Sequence, residues 1–364
     1  MIRMTLIPSN HYYEKSILDD EYITFENLWI FVGLKNEIPN KFDYFLCKIG
    51  SKSLIVFNTG SEIKVFHNLC KHRHSAIKSE KYGNGPLICP YHRWSYDTNG
   101  KLKHIPNSKQ HFPNMSKDEF SKIHLTEWEV GLCGEFIFVR KNSNSSKLED
   151  YLGETYKKLN IISNSIGNCI HNFEYIIKAN WKLIIENTLE SYHVDYVHQD
   201  SFKRLGIHNL NGGSDKNTIW LEANLGSDIL KKWKYIEKDL KKRAFNIGGW
   251  YHMVVLPLMA IGTTLGISFS ITNLVPISSE ETLFSSKLYF TRIPDEKLLT
   301  RFEEILKPSL IEFNEKVFRE DAIAVENVQK VIGQNNEDFI LGEGEDASRV
   351  IAFHEIYLKE FKNS

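Results

Sequence analysis

The sequence lacks an apolar run long enough to cross a bilayer, because its hydrophobic residues, 42% of 364, are interspersed with charged ones. It also lacks, after Met1, the extended apolar segment and small-residue cleavage site of a secretory signal. The formal net charge is −1, so the chain carries no electrostatic footprint for nucleic acid or for an anionic membrane. We therefore expect a cytoplasmic protein that binds neither.

Cysteine is sparse as well, and the odd number of five, at irregular spacing, does not predict a disulfide framework. We expect Cys47, Cys133 and Cys169 to be buried thiols. The chain further lacks a P-loop and a dinucleotide fingerprint. Electrons for any redox chemistry must therefore come from a separate protein.

The length exceeds that of a usual single domain, and the chain changes character near residue 141. Over 29–140, short β-rich runs alternate with Gly, Asn and Pro turns, and the polar stretch 141–147 is the best candidate for a linker. The clearest of these runs are 54–57, 63–66 and 136–139. We predict an all-β domain over 41–142 and a second domain over 148–364, with an N-terminal segment over 1–40 that packs on the second domain.

The second domain begins with a strand-like run at 173–178, after which Asn180 can cap a helix with apolar residues at helical spacing. Further runs predict long antiparallel strands, and a helical region interrupted at Pro308 closes the domain. The strands are predicted at 253–261, 267–276 and 283–291, and the helix at about 299–332. The fold class is therefore predicted as α+β, with an antiparallel sheet flanked by helices in this domain.

The first candidate metal site is the pattern C-x-H-x16-C-x2-H formed by Cys70, His72, Cys89 and His92. Two thiolates and two imidazoles also hold zinc, so a structural zinc site remains an alternative. In a Rieske [2Fe-2S] cluster, one iron is bound by both thiolates and the other by both imidazoles, so each loop must supply one of each. The pairing of one Cys with one His in each loop therefore favours the cluster.

The second candidate site begins with Glu190, His193 and His198. Glu190 and His193 are neighbours if the helix continues, so the carboxylate could orient the imidazole. Because His198 would point away on a straight helix, the chain has to bend between the two histidines. Two imidazoles and one carboxylate on one face form the donor set of a mononuclear non-haem iron site.

Asp321 is the candidate for the third ligand. It lies on an apolar stripe of the C-terminal helix, where a carboxylate is costly unless it is paired or bound to metal. A surface acid, or one paired with a lysine, remains the alternative. We expect Glu320 and Glu326, which lie off the stripe, to be solvated. The stripe comprises Val317, Val325, Val328 and Ile332.

Both candidate sites resemble motifs of the ring-hydroxylating oxygenase family of Rieske non-haem iron enzymes. HNLCKHRHSA with CPYHRWSYD resembles the cluster motif, NWKLIIENTLESYHVDYVH resembles the signature N-W-K-x3-E-N-x2-E/D-x2-H-x4-H, and EDAIAVENVQ resembles the segment that delivers the carboxylate ligand. The likeness covers about 29–329. His74 and Arg93 depart from it, because many members have Gly at these positions.

The resemblance implies a Rieske domain, a catalytic domain of helix-grip type and two sets of metal ligands. It further implies that Glu190 is the bridging carboxylate that links an iron-binding histidine to a Rieske histidine of the next subunit, and hence a homotrimer. The implied cluster ligands are Cys70, His72, Cys89 and His92, and the implied ligands of mononuclear Fe(II) are His193, His198 and Asp321.

The expected function is that of a terminal oxygenase. Electrons from a separate NAD(P)H-dependent reductase or ferredoxin would activate O2 at the iron, and a small organic substrate, aromatic or hydrophobic, would be hydroxylated. Oxidative N- or O-demethylation within the same family, a Rieske electron carrier and a zinc-stabilised binding module remain alternatives. Some apolar residues could line the substrate pocket, although most are expected to form sheet core: Met253, Val255, Leu258, Phe269, Ile271, Leu274, Leu288 and Phe290.

Overall fold

The computed structural model describes residues 2–4, 6–141, 146–240, 245, 247–334, 340–342 and 347–361. The chain divides into an N-terminal unit, Tyr22–Leu148, and a C-terminal unit, Met1–Glu21 together with Glu149–Ser364. This division splits the predicted segment 1–40 at residue 21, because Ile30–Leu34 is a strand of the N-terminal unit's sheet. Of the predicted linker 141–147, residues 142–145 lie outside the described residues.

The strands and helices of the described residues alternate unevenly along the chain. The strands are β1 (Ile2–Met4), β2 (Ile30–Leu34), β3 (Asp43–Ile49), β4 (Lys52–Asn58), β5 (Ile63–His67), β6 (Tyr82–Asn84), β7 (Ser95–Tyr96), β8 (Leu102–His104), β9 (Glu127–Cys133), β10 (Phe136–Arg140), β11 (Ile166–Ile177), β12 (His208–Asp215), β13 (Thr218–Asn224), β14 (Gly249–Val255), β15 (Met259–Thr264), β16 (Ser268–Ser278), β17 (Glu281–Thr291) and β18 (Ile340–Gly342). The helices are α1 (Lys15–Phe25), α2 (Ser108–His111), α3 (Lys117–Ser121), α4 (Leu148–Leu152), α5 (Thr155–Ser165), α6 (Trp181–Leu189), α7 (Val194–Val197), α8 (Ser227–Leu240), α9 (Glu296–Ile332) and α10 (Ala347–Glu360), with 3-10 turns at Ser9–Tyr12, Lys35–Glu37 and Phe202–Leu205.

The N-terminal unit is built on an antiparallel sheet with the strand order β2-β10-β9-β5-β4-β3-β6. The predicted runs 54–57, 63–66 and 136–139 lie within β4, β5 and β10 and are confirmed as strands. A buried cluster around Phe57 and Phe66 includes Cys70, Cys89 and Trp94. The loops that carry the predicted cluster ligands are therefore anchored in the core of this unit.

The C-terminal unit contains a second antiparallel sheet, with the order β11-β17-β16-β15-β14-β13-β12. The long helix α9 packs against β11 and α6, and apolar side chains such as Phe173, Leu288 and Phe302 form a core between sheet and helix. This is the predicted α+β architecture with a helix laid against an antiparallel sheet. No helix in the described ranges is both long and apolar enough to span a membrane.

Several predicted boundaries and burials in these units differ from the structure. The strand predicted at 253–261 is two strands, β14 and β15, because Leu256 and Pro257 turn the chain between them. The predicted interruption at Pro308 is wrong, because α9 runs through this residue. Pro308 is exposed, so water can bond the carbonyl that loses its N–H donor. Of the cysteines expected to be buried, Cys133 is buried, Cys47 is partly exposed and Cys169 is exposed on β11.

A buried polar network holds the start of α6 against the two ends of the chain. The Asn180 side chain accepts from the N–H of Lys182 at 3.0 Å, which confirms the predicted cap. Lys182 Nζ then donates to Glu21 at 2.6 Å, with both side chains 0% exposed. Trp181 Nε1 and the Tyr357 hydroxyl also donate to Glu21, each at 2.7 Å. Both oxygens of the buried carboxylate accept hydrogen bonds from these three donors, which offsets part of the cost of removing the ion pair from water.

We predict that Lys182→Met lowers the free energy of unfolding by about 3–5 kcal/mol, because it leaves the Glu21 charge buried without its cation. The double change Glu21→Gln with Lys182→Met should be less destabilising than Lys182→Met alone. Thermal and urea unfolding followed by circular dichroism would measure both. Lys15→Met is the control, since the Lys15–Asp19 pair is exposed and should contribute less than about 1 kcal/mol. Equal effects of Lys182→Met and Lys15→Met would contradict this account.

Candidate metal centres and substrate pocket

The two loops with the predicted cluster ligands share one backbone hydrogen-bond pattern. The N–H of His74 donates to the carbonyl of Cys70 at 3.0 Å, and the N–H of Arg93 donates to the carbonyl of Cys89 at 3.0 Å. Each cysteine N–H in turn donates, at 2.9 Å, to the carbonyl of the residue five positions later. The loops are therefore two copies of the same turn, each of which presents one thiol.

The fourth residue after each cysteine closes this turn with a positive φ, 58° at His74 and 60° at Arg93. This left-handed conformation favours glycine. It therefore accounts for the Gly that many members of the ring-hydroxylating oxygenase family have at the positions of His74 and Arg93. A residue with a side chain costs roughly 1–2 kcal/mol there. The shared hydrogen bonds hold both loops in the turn in spite of that strain.

The four side chains are grouped by type. Cys70 and Cys89 are 1% and 2% exposed, and their thiols lie close enough to interact. The Tyr96 hydroxyl is 3.2 Å from Cys70 Sγ. The rings of His72 and His92 lie 4.6 Å apart, centroid to centroid, towards the surface. One end of the site is thus a buried thiol pair and the other is an imidazole pair.

This grouping separates the cluster from the zinc alternative. Four ligands around one zinc ion, at about 2.0–2.3 Å, would all lie within roughly 4 Å of one another. In the described part of the chain, the group of three or more His, Cys or carboxylate atoms within 4.8 Å is a different one, formed by His193, His198 and Asp321. The two pairs at separate ends fit a cluster of two irons, each bound by one pair.

His193, His198 and Asp321 each direct one ligand atom at a common centre. The two Nε2 atoms lie 3.2 Å apart, and Asp321 Oδ1 lies 3.4 Å from His193 Nε2 and 3.0 Å from His198 Nε2. Two imidazoles and one carboxylate in so compact a group are the donor set of a non-haem iron site with open positions. The donor set and spacing therefore fit a mononuclear iron ion.

Each histidine is held from its other nitrogen by a carboxylate. Glu190 Oε1 contacts His193 Nδ1, and Glu320 Oε2 lies 2.7 Å from His198 Nδ1 and 2.5 Å from the Ser201 hydroxyl. A carboxylate at Nδ1 keeps the proton on that nitrogen and leaves the Nε2 lone pair free for metal. Both imidazoles are thus oriented towards the common centre.

The end of α6 produces this arrangement. The helix stops at Leu189, and Glu190 is extended at φ −94° and ψ 155°. The second Glu190 oxygen then accepts from the N–H groups of Tyr192 and His193 at 2.6 and 3.2 Å. The expectation that Glu190 and His193 are neighbours on one continuous helix is therefore wrong, although they do meet. The two histidines converge as predicted, because α7 is a single turn that ends at Val197 and His198 leaves it at φ −103° and ψ 38°.

Sequence reasoning missed Asn187 and misjudged Glu320. The Asn187 amide donates to Asp321 Oδ1 at 2.8 Å, and so fixes the carboxylate from α6. Glu320 is not solvated as expected, since its side chain is 20% exposed and bound to His198. The Asn in the motif E-N-x2-E was the available signal for Asn187, whereas the partner of Glu320 comes from a distant segment.

The helix face that carries Asp321 also differs in detail from the predicted stripe. Val325 and Ile332 are buried as expected, but Val328 is 40% exposed and Gln329 takes a buried position instead. Gln329 Oε1 accepts from the N–H of Asn180 at 2.8 Å. Glu326 is half-buried and accepts from the backbone N–H of Lys178 at 3.0 Å. Polar side chains of α9 therefore anchor the start of α6.

The charges of the triad oppose one another across short distances. Burial alone would raise the pKa of Asp321, but hydrogen bonds with His193 and His198 lower it to about 2. Burial would lower the pKa of His193, yet Asp321 and Glu190 raise it to about 9. A metal ion must displace the proton that His193 would otherwise hold at neutral pH. Metal affinity should therefore weaken as the pH falls.

A cavity of about 460 Å³ opens beside the triad within the C-terminal unit. Cross-strand pairing makes the room, because Trp250 and His252 of β14 face the smaller Thr264 and Gly262 of β15. The volume suits a small organic molecule. Its aromatic walls include Phe202, Trp250, Phe313 and Phe318, and the small residues beneath include Ala260, Gly262, Ser268 and Ser270.

Of the apolar residues considered for this pocket, Leu274 is one that lines it. Met253, Val255, Phe269 and Ile271 are buried in the sheet core, as expected for most of the set. The reason is the period of two along a strand, since the cavity takes residues 250 and 252 of β14 and residues 268, 270 and 272 of β16. The cavity face is therefore more polar than the sequence analysis assumed.

Comparisons with protein families match both units of the chain. The family model described as "Ring hydroxylating alpha subunit (catalytic domain)" matches residues 168–361, more than half of the chain. The model described as "Rieske [2Fe-2S] domain" matches residues 28–126. The first range contains the histidine and aspartate triad, and the second contains both cysteine loops.

Curated proteins and solved structures with similar chains are oxygenase components. The carnitine monooxygenase oxygenase subunit of Escherichia coli (strain K12) is 26% identical over 98% of this chain and 94% of its own length. The glycine betaine monooxygenase oxygenase subunit of Chromohalobacter salexigens is 32% identical over 50% of this chain and 40% of its own. A quaternary ammonium Rieske monooxygenase bound to L-carnitine shares the fold at a TM-score of 0.80, with 20% identity over 99% of this chain and 96% of that one.

We predict that Glu320→Gln weakens the binding of mononuclear iron about 10- to 100-fold, because His198 loses the anionic partner that fixes its Nδ1–H. Iron retained after dialysis against graded chelator concentrations measures the effect, and the visible absorption of the cluster should not change. Glu315→Gln is the matched control, since Glu315 pairs with the exposed Arg319 on the same helix. Wild-type iron retention in Glu320→Gln would contradict the assigned role.

Proposed function

The chain belongs to the family of ring-hydroxylating oxygenase alpha subunits, and on that premise we propose that its two metal centres act together to hydroxylate a small organic substrate with O2. It is the oxygenase subunit of a multicomponent system, in which we infer that a separate NAD(P)H-dependent reductase or ferredoxin delivers the electrons. The demethylase alternative is not favoured, because neither of the curated relatives named above is described as a demethylase. A Rieske electron carrier would not need the catalytic domain.

The observation that carries this proposal is the convergence of His193 Nε2, His198 Nε2 and Asp321 Oδ1 beside a cavity of substrate size. We assign these three residues as ligands of ferrous iron, and we assign the two cysteines and two histidines of the loops as ligands of the cluster. When bound, the cluster supplies single electrons, and the iron supplies the centre at which O2 is reduced and oxygen is transferred to the substrate.

The residues of the chain prepare this chemistry in three ways. Glu190 and Glu320 keep the Nδ1 protons of the histidines in place, so that Nε2 stays available to metal. Asn187 holds Asp321 by one oxygen, which limits rotation of the carboxylate. Aromatic side chains such as Trp250 and Phe202 enclose the cavity and exclude water from the substrate.

We predict that Asp321→Ala leaves the cluster absorption intact while mononuclear iron is lost and substrate-dependent O2 consumption stops, because one of three protein ligands is removed. The assay requires a reductase and a panel of aromatic acids and quaternary amines. Glu326→Ala is the control on the same helix, since Glu326 accepts from the backbone N–H of Lys178 and is not one of the three proposed ligands. Wild-type iron content and activity in Asp321→Ala would refute the ligand assignment.

We further propose a homotrimer in which Glu190 passes electrons to His193 from the cluster of the neighbouring subunit. One solved relative, a quaternary ammonium Rieske monooxygenase with 20% identity, is described in terms of inter-subunit electron transfer. In this chain, Glu190 already contacts His193 Nδ1, and its side chain is 23% exposed. A carboxylate in that position can accept a second imidazole from outside the subunit.

Mixed rings test this assembly. Cys89→Ala removes the cluster and His193→Ala removes the iron, so each variant should be inactive alone. Rings that contain both, isolated through two affinity tags, should regain partial activity, because an intact cluster then neighbours an intact iron site. Adding Glu190→Gln to the Cys89→Ala chain should abolish the rescue, and its iron content must be checked since Glu190 also holds His193. Mixed rings with both metals and no activity would show that electrons pass within one chain.

A further inference from the structure

We propose that Arg349 and His252 form a carboxylate-binding subsite in the substrate cavity, so that the substrate is a small carboxylic acid whose anionic end lies at these residues. The inference deepens the proposed oxygenase function and rests on it. It goes beyond the iron ligands, because both residues lie at the part of the cavity wall formed by β12, β13, β14 and α10.

Arg349 is a buried cation in the wall of the cavity. It lies in the first turn of α10 and is 4% exposed. Its stem packs on the sheet at a glycine, since a Cβ atom on Gly212 would lie 3.1 Å from Arg349 Cδ. A guanidinium has five N–H donors in a rigid fork, so it can keep a protein partner and still bind a ligand carboxylate through two hydrogen bonds.

The register of the sheet brings His252 to the same place. Gly212 pairs with Leu221 on β13, and Leu221 pairs with His252 on β14. These three residues are therefore successive cross-strand neighbours in one row, and the Arg349 stem packs at the Gly212 end of that row. Both Leu221 and His252 line the cavity. Arg349 and His252 thus approach a ligand from adjacent positions of one wall.

His252 has a hydrogen-bonding atom for which the described residues offer no partner. The side chain is 8% exposed and stacks on Trp250 at 5.6 Å and 11°, and its Nδ1 is buried without a hydrogen bond. Leaving such an atom unpaired is costly, and the ring that carries it lines the cavity. Burial and the nearby Arg349 charge lower the pKa of His252 to about 3, so the ring is neutral and can donate one N–H.

The position of the subsite also orients the substrate. The charge of Arg349 lowers the pKa of His252, whereas the charge of Asp321 raises it. His252 is therefore close enough to interact electrostatically with both the proposed iron ligand and the guanidinium. A carboxylate is repelled by the acidic residues around the iron and attracted by Arg349. The uncharged end of the molecule is then left beside the triad, where hydroxylation takes place.

Binding of matched ligand pairs to the metal-loaded full chain tests the subsite without turnover. The pairs are benzoate with benzamide, anthranilate with 2-aminobenzamide, and glycine betaine with choline. Isothermal titration should show at least one carboxylate bound about 10- to 100-fold more tightly than its partner, the range expected for hydrogen bonds to a charged group. Arg349→Met should reduce that ratio to about one, and Arg349→Lys should keep part of it.

Two further variants make the test decisive. Arg301→Met is the control, because Arg301 is an exposed arginine of α9 that does not line the cavity, and it should leave the ratio unchanged. His252→Phe keeps the stacking with Trp250 but removes the N–H, and should lower the ratio several-fold. His252→Phe also provides an independent test of the subsite if Arg349→Met fails to fold. A wild-type ratio near one for all three pairs, or a ratio that survives Arg349→Met, would overturn the subsite.

The outcome is distinguishable from failure of the proposed function. If the chain hydroxylates uncharged molecules with no dependence on Arg349, the oxygenase function stands and the subsite is wrong. If carboxylates bind through Arg349 but O2 is not consumed with any of them when reductase is supplied, the subsite stands and the proposed reaction on these acids is wrong.

Discussion

The convergence of His193, His198 and Asp321 on one centre depends on the two carboxylates that hold the outer nitrogens of the two histidines. Without them each ring could turn either nitrogen to the centre, and the three ligand atoms would converge only after a metal had bound. This arrangement places two requirements on the local structure. Helix α6 has to end at Leu189 so that Glu190 can turn back towards His193, and α9 has to present two consecutive acids to one ring. The ring of His198 lies across α9, with Glu320 at Nδ1 and Asp321 at Nε2.

The spacing N-W-K-x3-E-N, which this chain shares with the family motif, has a physical explanation in the contacts of α6. Trp181 and Lys182 bind the buried Glu21, while Glu186 accepts from the Tyr12 hydroxyl at 2.5 Å and lies 3.0 Å from His354 Nε2. Asn187 then reaches Asp321. Residues 181–187, about two turns of α6, are thus tied to the N-terminal segment, to α10 and to α9. The triad can be rigid because the helix before it is held on three sides.

Much of the site was predictable from the sequence because its ligands cluster in short motifs. The Cys-x-His loop, the Cys-x2-His loop and the two histidines of the triad each lie within one short segment. Spacing within a short segment is enough to limit which metal centres these residues can form. Glu320 was misread because its partners, His198 and Ser201, are more than a hundred residues away. Helical periodicity could place Asp321 on a stripe, but it could not show that the adjacent position also faces a buried group. Likewise, the continuous run 253–261 concealed a turn, since apolar residues occupy both of its strands and the turn itself.

The polarity of the cavity could not be predicted from the sequence for a similar reason. Sequence patterning identifies apolar strand residues, and those residues form the core, whereas the opposite face of β14 and β16 carries His252, Ser268 and Ser270 into the cavity. At the end of the cavity beside the triad, Asp321, Glu190 and Glu320 carry three negative charges, one more than the two positive charges of a ferrous ion would neutralise. An anionic substrate would be repelled from that end unless a cation held it elsewhere. Arg349 is a buried cation in the cavity wall. In the proposed subsite, the acids that orient the histidines would therefore also determine which end of a carboxylic acid lies beside the triad.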